Sequence, residues 1–184
     1  MGDSSNSREP NWEEIVSNYY DAIYRYCYQF HGNRADAEDA TQQTFVKAYQ
    51  SLPTLQSESA LKSWLYSIAR NICIDRKRRI KKFFALLPMI KSDDIIEPQL
   101  SGLSKGLLNH IQALPIKQRE VFILRHWHDF STDEVANMLS ISNGTVKSHL
   151  KRAIDKLRAA LEPELGKTTE LPDEPSQRKN RGTR

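Results

Sequence analysis

Lys147, Ser148, Lys151 and Arg152 fall at spacings that put them on the outward faces of one helix, with His149, Lys156 and Arg158 nearby. Such side chains donate hydrogen bonds to base edges in a DNA major groove, and a Lys or Arg paired with guanine gives ~1–3 kcal/mol of discrimination. The helix that must carry them is marked by Val146, Leu150, Ala153, Ile154, Leu157 and Leu161 at helical spacing. Ahead of it, Ser131 and Glu134 form a capping box that starts a shorter helix, with Val135, Ala136 and Leu139 as its apolar face. Ser140, Ile141, Ser142, Asn143 and Gly144 read as the turn between them, with Asn and Gly expected to take the unusual backbone angles. Residues 131–158 thus predict a helix-turn-helix whose second helix is basic in its N-terminal half, a shape suited to the major groove. The competing reading is an amphipathic helix with a merely solvated basic face. The capping box, tight turn and charge taken together favour DNA.

The composition permits this and excludes other classes. The 184 residues are 39% hydrophobic and 27% charged, which suits one globular domain or two small ones. A net charge of +4 permits a polyanionic partner, though its distribution matters more than its size. No apolar run is long enough to span a bilayer. The N-terminal MGDSSNSREPN lacks the apolar core of a secretory signal, so a cytoplasmic protein is expected. Cys27 and Cys73 each lie within an apolar helical pattern and are expected as buried free thiols. Catalysis needs converging carboxylates or a nucleophile with its base. Asp36, Glu38 and Asp39 cluster, but their spacing spreads them around a helix and no second acidic cluster joins them. His126-Trp127-His128 has no nearby third metal ligand and reads as a helix end. No enzyme activity, cofactor, metal or small-molecule substrate is expected.

Along the rest of the chain the periodicity is helical throughout. Ile15, Tyr19, Ile23, Tyr26 and Phe30 step by three or four, and His31-Gly32-Asn33 ends that helix. A second helix over 35–52 has a narrow inner stripe of Ala37, Ala40, Thr44, Ala48 and Leu52, with Phe45 and Tyr49 beside it. A third, over 60–82, turns Leu61, Trp64, Leu65, Ile68, Ala69, Ile72 and Cys73 inward and ends in the basic run Arg76, Lys77, Arg78, Arg79, Lys81, Lys82. Residues 86–104 have short apolar patches, prolines and acids without a period, and read as a linker. Helical pattern resumes at Leu103, Leu107 and Ile111, breaks at Pro115 and restarts through Val121, Phe122 and Leu124. The tail over 163–184 is polar and is expected to be disordered. The fold expected is all-α, with two small helical domains over 11–85 and 105–162 joined by a flexible linker.

Four segments in order then carry a resemblance: DAEDATQQTFVKAYQSL (36–52), SWLYSIARNICIDRKRR (63–79), LPIKQREVFILR (114–125) and EVANMLSISNGTVKSHLKRAIDKLR (134–158). Together they resemble the extracytoplasmic-function (ECF) sigma factors, the smallest group of the sigma-70 family of bacterial transcription initiation factors. The match covers nearly everything from 12 to 162. It implies a sigma-2 helical bundle and a sigma-4 helix-turn-helix with no sigma-3 between them. It implies that Asp39, Gln42 and Gln43 dock on the clamp helices of the beta-prime subunit of core RNA polymerase, while the second domain meets the beta flap. Many relatives have Glu where this chain has Gln43. The loop 53–62 and third helix correspond to the minus-10 reader. Asn71 and Asp75 would meet an unpaired base, and Arg70, Arg76, Arg78 and Arg79 would supply positive charge for its strand. Trp64 falls on the apolar stripe and reads as core, whereas Tyr66 lies off it and is open to a stacking role. The second helix of the helix-turn-helix corresponds to the minus-35 reader. Lys147, Ser148, Lys151 and Arg152 project outward there, and Ser142 and Thr145 near its N-terminus suit phosphate contacts. The partners implied are core RNA polymerase, promoter DNA and an anti-sigma factor that would hold the protein in the cytoplasm or at the inner membrane.

The alternative is a LuxR/NarL-type regulator, whose DNA-binding domain carries a similar TVKSH segment. That reading requires a receiver or ligand domain in residues 1–105, and no alternating strand–helix pattern is present there.

Overall fold

The helix boundaries follow from side chains that satisfy free backbone groups. α1 (Trp12–His31) starts where the Asn11 side chain accepts a hydrogen bond from the Glu13 N–H at 3.2 Å, and Glu13 and Glu14 favour its positive end. It stops at Gly32, which takes φ +82 and donates its N–H to the Tyr28 carbonyl. A Cβ at Gly32 would lie 3.0 Å from Gln112 Cγ, so both the angle and the space favour glycine. One residue later Asn33 caps α2 (Arg34–Ser51), accepting from the Asp36 N–H at 2.8 Å and donating to its carboxylate at 3.0 Å. With only Gly32 and Asn33 between them, α1 and α2 must pack against each other. Ala37, Ala40, Thr41, Thr44 and Ala48 make that contact close, and both threonine hydroxyls donate to carbonyls four residues back, at 2.7 Å.

After two short 3-10 turns (Leu52–Thr54 and Glu58–Ala60), α3 (Leu61–Leu86) completes the first bundle. The second unit is α4 (Gly102–Ala113), α5 (Ile116–His126), α6 (Thr132–Leu139) and α7 (Asn143–Leu165). The computed structural model describes residues 11–55, 57–86 and 102–165, and among these no strand occurs. The expected linker and tail lie largely outside them. At the edges α3 continues to Leu86, and α7 runs through Pro163 to Leu165.

One hydrophobic core runs through both units, from Ile15 and Phe30 in α1 to Val146 and Leu157 in α7. α1 packs on α4 and α5 as well as on its own neighbours, and α3 touches α6. The helices before and after residues 86–104 therefore form two groups packed on each other. In α3 the inward residues differ from the expected stripe. Tyr66 and Ile74 are buried, while Trp64 and Ile72 are only partly covered. The stripe is displaced because α3 packs on α1 and α2 and also on the second unit.

The helix-turn-helix forms with one correction. The capping box is complete: Ser131 Oγ accepts from the Glu134 N–H at 3.1 Å, and the Ser131 N–H donates to the Glu134 carboxylate at 2.7 Å. The left-handed residue of the turn is Ser140, at φ +52, whereas Asn143 and Gly144 already belong to α7. The Ser140 N–H bonds back to α6 carbonyls, which holds that strained angle.

Ser131→Ala is expected to destabilise the protein by ~1 kcal/mol, the usual worth of an N-cap hydroxyl. Thermal unfolding followed by circular dichroism measures it. An unchanged midpoint would mean that the box does not hold α6 in place.

Candidate nucleic-acid interface

α7 carries the residues assigned to the minus-35 duplex on its open faces. Ser142 caps it, its Oγ accepting from the Thr145 N–H at 3.1 Å and lying 2.8 Å from Thr145 Oγ1. Asn143 donates to the carboxylate of Asp133 and so ties α7 to α6. Val146, Ala153 and Leu157 are buried against the rest of the second unit. That orientation leaves Lys147, Ser148, Lys151 and Arg152 exposed in two adjacent rows, each pair four residues apart. Their spacing and mobility suit base edges and phosphates in a groove wide enough for a helix.

The residues assigned to the minus-10 strand divide into two sets. Asn71 and Asp75 are exposed one turn apart on α3, and the adjacent Arg78 and Arg79 are exposed beyond them. Asp75 and Arg78 lie 3.9 Å apart, a loose and solvated pair. Arg70 and Arg76 are otherwise placed. Arg70 Nε donates to the fully buried Glu120 carboxylate of α5 at 2.6 Å, and its Nη1 donates to Asn71 Oδ1 at 3.2 Å. Arg76 is forked between Asp36, at 2.9 and 2.5 Å, and Asp39. Neither guanidinium is the free cation that the sequence suggested, because acids from other helices reach them first. Tyr66 is also removed from any stacking role here. It is 1% exposed and lies edge-on to Tyr26, His128 and Phe130.

The α2 face assigned to polymerase docking is likewise partly committed. Gln42 and Gln43 are exposed, but Asp39 binds Arg76 and accepts from Gln43 Nε2 at 3.0 Å. Asp39 thus anchors α2 to α3. Burial opposes the charge on nearby Asp36, yet the hydrogen bonds from Asn33 and Arg76 hold its carboxyl below the usual range. Sequence reasoning missed two apolar side chains on the same helix, Val46 and Tyr49, which are 58% and 61% exposed. The spacing of Gln42, Val46 and Tyr49 (i, i+4, i+7) was the available signal for one continuous face.

A polar seam between the units was not foreseen at all. Tyr66 Oη lies 2.7 Å from His128 Nδ1, and His128 Nε2 lies 2.8 Å from Gln29 Oε1, linking α3, the loop before α6 and α1. Arg119 of α5 donates to the carbonyls of Ile111, Gln112 and Leu114 and, across the seam, to that of Phe30. Gln112 reaches the Gln29 carbonyl, and Lys77 of α3 reaches Gln112 at 3.3 Å. Burial lowers the Lys77 amine to about 8 and the Arg119 guanidinium to about 10.

Comparison with known proteins matches the two units separately. Residues 15–83 fit the family model for sigma-70 region 2 and residues 105–157 that for sigma-70 region 4. The ECF RNA polymerase sigma factor SigW of Bacillus subtilis is 34% identical over 164 residues, covering 80% of this chain and 87% of that protein. The chain belongs to the ECF group of the sigma-70 family. The RNA polymerase sigma-E factor of Streptomyces coelicolor is 31% identical, with coverage of 82% of this sigma factor and 85% of that one. Among solved structures, the sigma factor RpoE of Bartonella quintana, in complex with the anti-sigma factor NepR, superposes with a TM-score of 0.72. It is 25% identical, and the alignment covers 82% of this chain and 96% of that one.

Two buried histidines are expected to make the sigma factor acid-sensitive. Burial pushes His31 and His128 down to about 4, from 6.5 when unfolded. Both are held neutral, so their contribution is complete above pH 6.5 and is lost as pH falls from there toward 4. Each adds a slope of up to ~1.4 kcal/mol per pH unit within that window. Denaturant unfolding at stepped pH is expected to show this slope, shallower in His128→Gln than in the wild type. Equal slopes would place the proton uptake elsewhere.

Proposed function

We infer that this sigma factor binds core RNA polymerase and directs it to promoters, with α7 as reader of the upstream duplex element and α3 as reader of the minus-10 strand. It supplies recognition and no bond-making chemistry. The observation that carries this reading is the capped α7 with Lys147, Ser148, Lys151 and Arg152 exposed, in a chain whose two units both match sigma-70 regions. The first unit, 11–85, is assigned to polymerase docking and to minus-10 recognition and melting, and the second, 105–162, to minus-35 recognition and the beta flap. Docking on the beta-prime clamp helices is assigned to Gln42, Gln43, Val46 and Tyr49, an exposed face that is half polar and half apolar. Asp39 supports that face through Arg76. On the strand-reading side, Asn71, Asp75, Arg78 and Arg79 stand open in this closed arrangement. An anti-sigma factor is the expected restraint, as in the Bartonella complex. No described helix is long and apolar enough to cross a membrane, which fits a cytoplasmic site of action with any membrane tether supplied by a partner. Promoter-directed RNA synthesis with purified core polymerase tests the whole reading. Absence of a transcript from every genomic fragment would overturn it.

Val46→Asp and Gln42→Arg are expected to weaken binding to core polymerase while leaving helical content intact, since both side chains are exposed. A charge placed on an interface face without a partner commonly costs several kcal/mol. Titration of labelled protein with core enzyme measures it, and full affinity in both variants would move the docking face off α2.

Lys147→Ala is expected to cost ~1–3 kcal/mol on the preferred duplex and little on others, the signature of base reading. Arg152→Ala is expected to weaken all duplexes alike and to reduce the salt slope by ~1, the signature of a phosphate clamp. Binding of the full chain to a duplex library at two salt concentrations separates these roles. No change in either variant would remove α7 from duplex recognition.

A further inference from the structure

Cys27 of α1 and Cys73 of α3 are the two cysteines of the chain, and both are fully buried free thiols. They meet across the first bundle, the Cys73 thiol donating to Cys27 Sγ at 3.8 Å. Two thiols in contact on separate helices form a pair that an oxidant can join. Burial restricts the product. The chain has no third cysteine, and a bulky thiol or disulfide cannot reach sulfurs enclosed by the core, so mixed disulfides and linked dimers are disfavoured. Burial also pushes the Cys73 thiol up, which slows its attack on any oxidant.

The position of Cys73 on α3 gives the pair a consequence. Asn71 and Asp75 lie two residues to either side of it, and both are exposed. The thiol thus occupies the core side of the turn whose open side carries the residues assigned to the unpaired base. A disulfide holds its sulfurs about 2.05 Å apart, so joining this pair draws them together by about 1.8 Å. Side-chain rotation supplies part of that approach and the helix backbones the rest. α1 is packed on α2, α4 and α5 as well as on α3. α3 is open at Asn71, Asp75, Arg78 and Arg79, so it is the helix that gives way. A close-packed interior passes such a shift on rather than absorbing it.

We propose that Cys27 and Cys73 form an oxidant-sensitive pair whose disulfide displaces the strand-reading turn of α3 and so weakens promoter opening. The proposal rests on the reading of α3 as the minus-10 reader. The oxidant is a small hydroperoxide, hydrogen peroxide being the simplest. One sulfur, as thiolate, attacks a peroxide oxygen, the O–O bond breaks, and a sulfenic acid forms as water leaves. The second sulfur attacks the sulfenic sulfur, the S–O bond breaks, and a second water leaves. Two thiols and one hydrogen peroxide give one disulfide and two waters. The sulfurs lose the two electrons that the peroxide gains, and a dithiol reductant reverses the change.

The full chain is treated with hydrogen peroxide, freed of it, alkylated at any remaining thiol and digested. Mass mapping should find one peptide pair joining Cys27 to Cys73 and no dimer. The two positions are 46 residues apart and enclose α2, so the oxidised protein should melt at a higher temperature than the reduced one. The oxidised protein is then mixed with untreated core polymerase on a genomic fragment that the reduced protein transcribes. Permanganate reactivity of the opened strand should fall roughly tenfold, the worth of one lost base contact, and dithiothreitol should restore it. Cys27→Ala, which lies on neither reading surface, should keep its activity and lose its response to peroxide. Two free thiols, or one sulfur oxidised alone, after saturating peroxide would overturn the pair. A complete cross-link with normal promoter opening would overturn the displacement of α3, as would an equal loss in Cys27→Ala. If Cys27→Ala loses helicity, the wild type decides, and a loss that dithiothreitol does not reverse overturns the proposal. Failure of the sigma-factor reading is a separate result, seen as no transcript from reduced wild-type protein on any genomic fragment. The cross-link map and the melting shift still test the pair in that case.

Discussion

The guanidinium of Arg119 is the constraint around which the two units are arranged. It is almost wholly buried, and a buried cation is costly unless its donors are used. Here they are used on carbonyls at the C-terminal ends of α4 and α1, including those of Leu114 and Phe30. Those carbonyls sit at the negative ends of the two helices, where helical N–H partners run out, so the cation and the helix ends satisfy each other. Moving α1 away from α5 strands the Phe30 carbonyl and part of the guanidinium together. The close passage of Gly32 past Gln112 belongs to the same junction, because Gln112 also binds Arg119.

From that junction the seam extends along α3 with polar and apolar contacts side by side. Phe30 and Ile111 are fully buried beside the Arg119, Gln112 and Lys77 hydrogen bonds. At the other end Tyr66 and Phe130 are buried beside Lys62, which donates to the His128 carbonyl. Separation along it hydrates the polar groups but also exposes apolar residues of the shared core, a cost that a partner has to offset.

The two reading surfaces are thus in different states. α7 is exposed along its basic face and is held by its apolar stripe, its cap and the Asn143–Asp133 hydrogen bond. α3 has one face in the core, one in the seam and one free. Under the proposed roles, duplex reading requires no rearrangement of the second unit, while strand reading draws on a helix already engaged by its neighbour. Arg76 illustrates a third use of charge. Its pair with Asp36 and Asp39 joins α2 to α3 and so fixes the angle between those two helices.

Much of this was legible in the chain itself. The 3.6-residue period located every helix core, Ser131 and Glu134 marked the start of α6, and the apolar stripe of α7 determined that Lys147, Ser148, Lys151 and Arg152 face outward. These are local rules, in which each residue's neighbours lie within a turn or two. The tertiary structure decided the rest. It exchanged Tyr66 for Trp64 in the core, gave the left-handed angle to Ser140 rather than Gly144, and engaged Arg70 and Arg76. Glu120 lies 50 residues from Arg70 and Asp36 lies 40 from Arg76. Hydrophobic periodicity states which side of a helix avoids water, but it is silent on which of several acids a given cation will meet. That choice belongs to the packing of helices distant in sequence, where desolvation and the geometry of a few carbonyls outweigh any local preference.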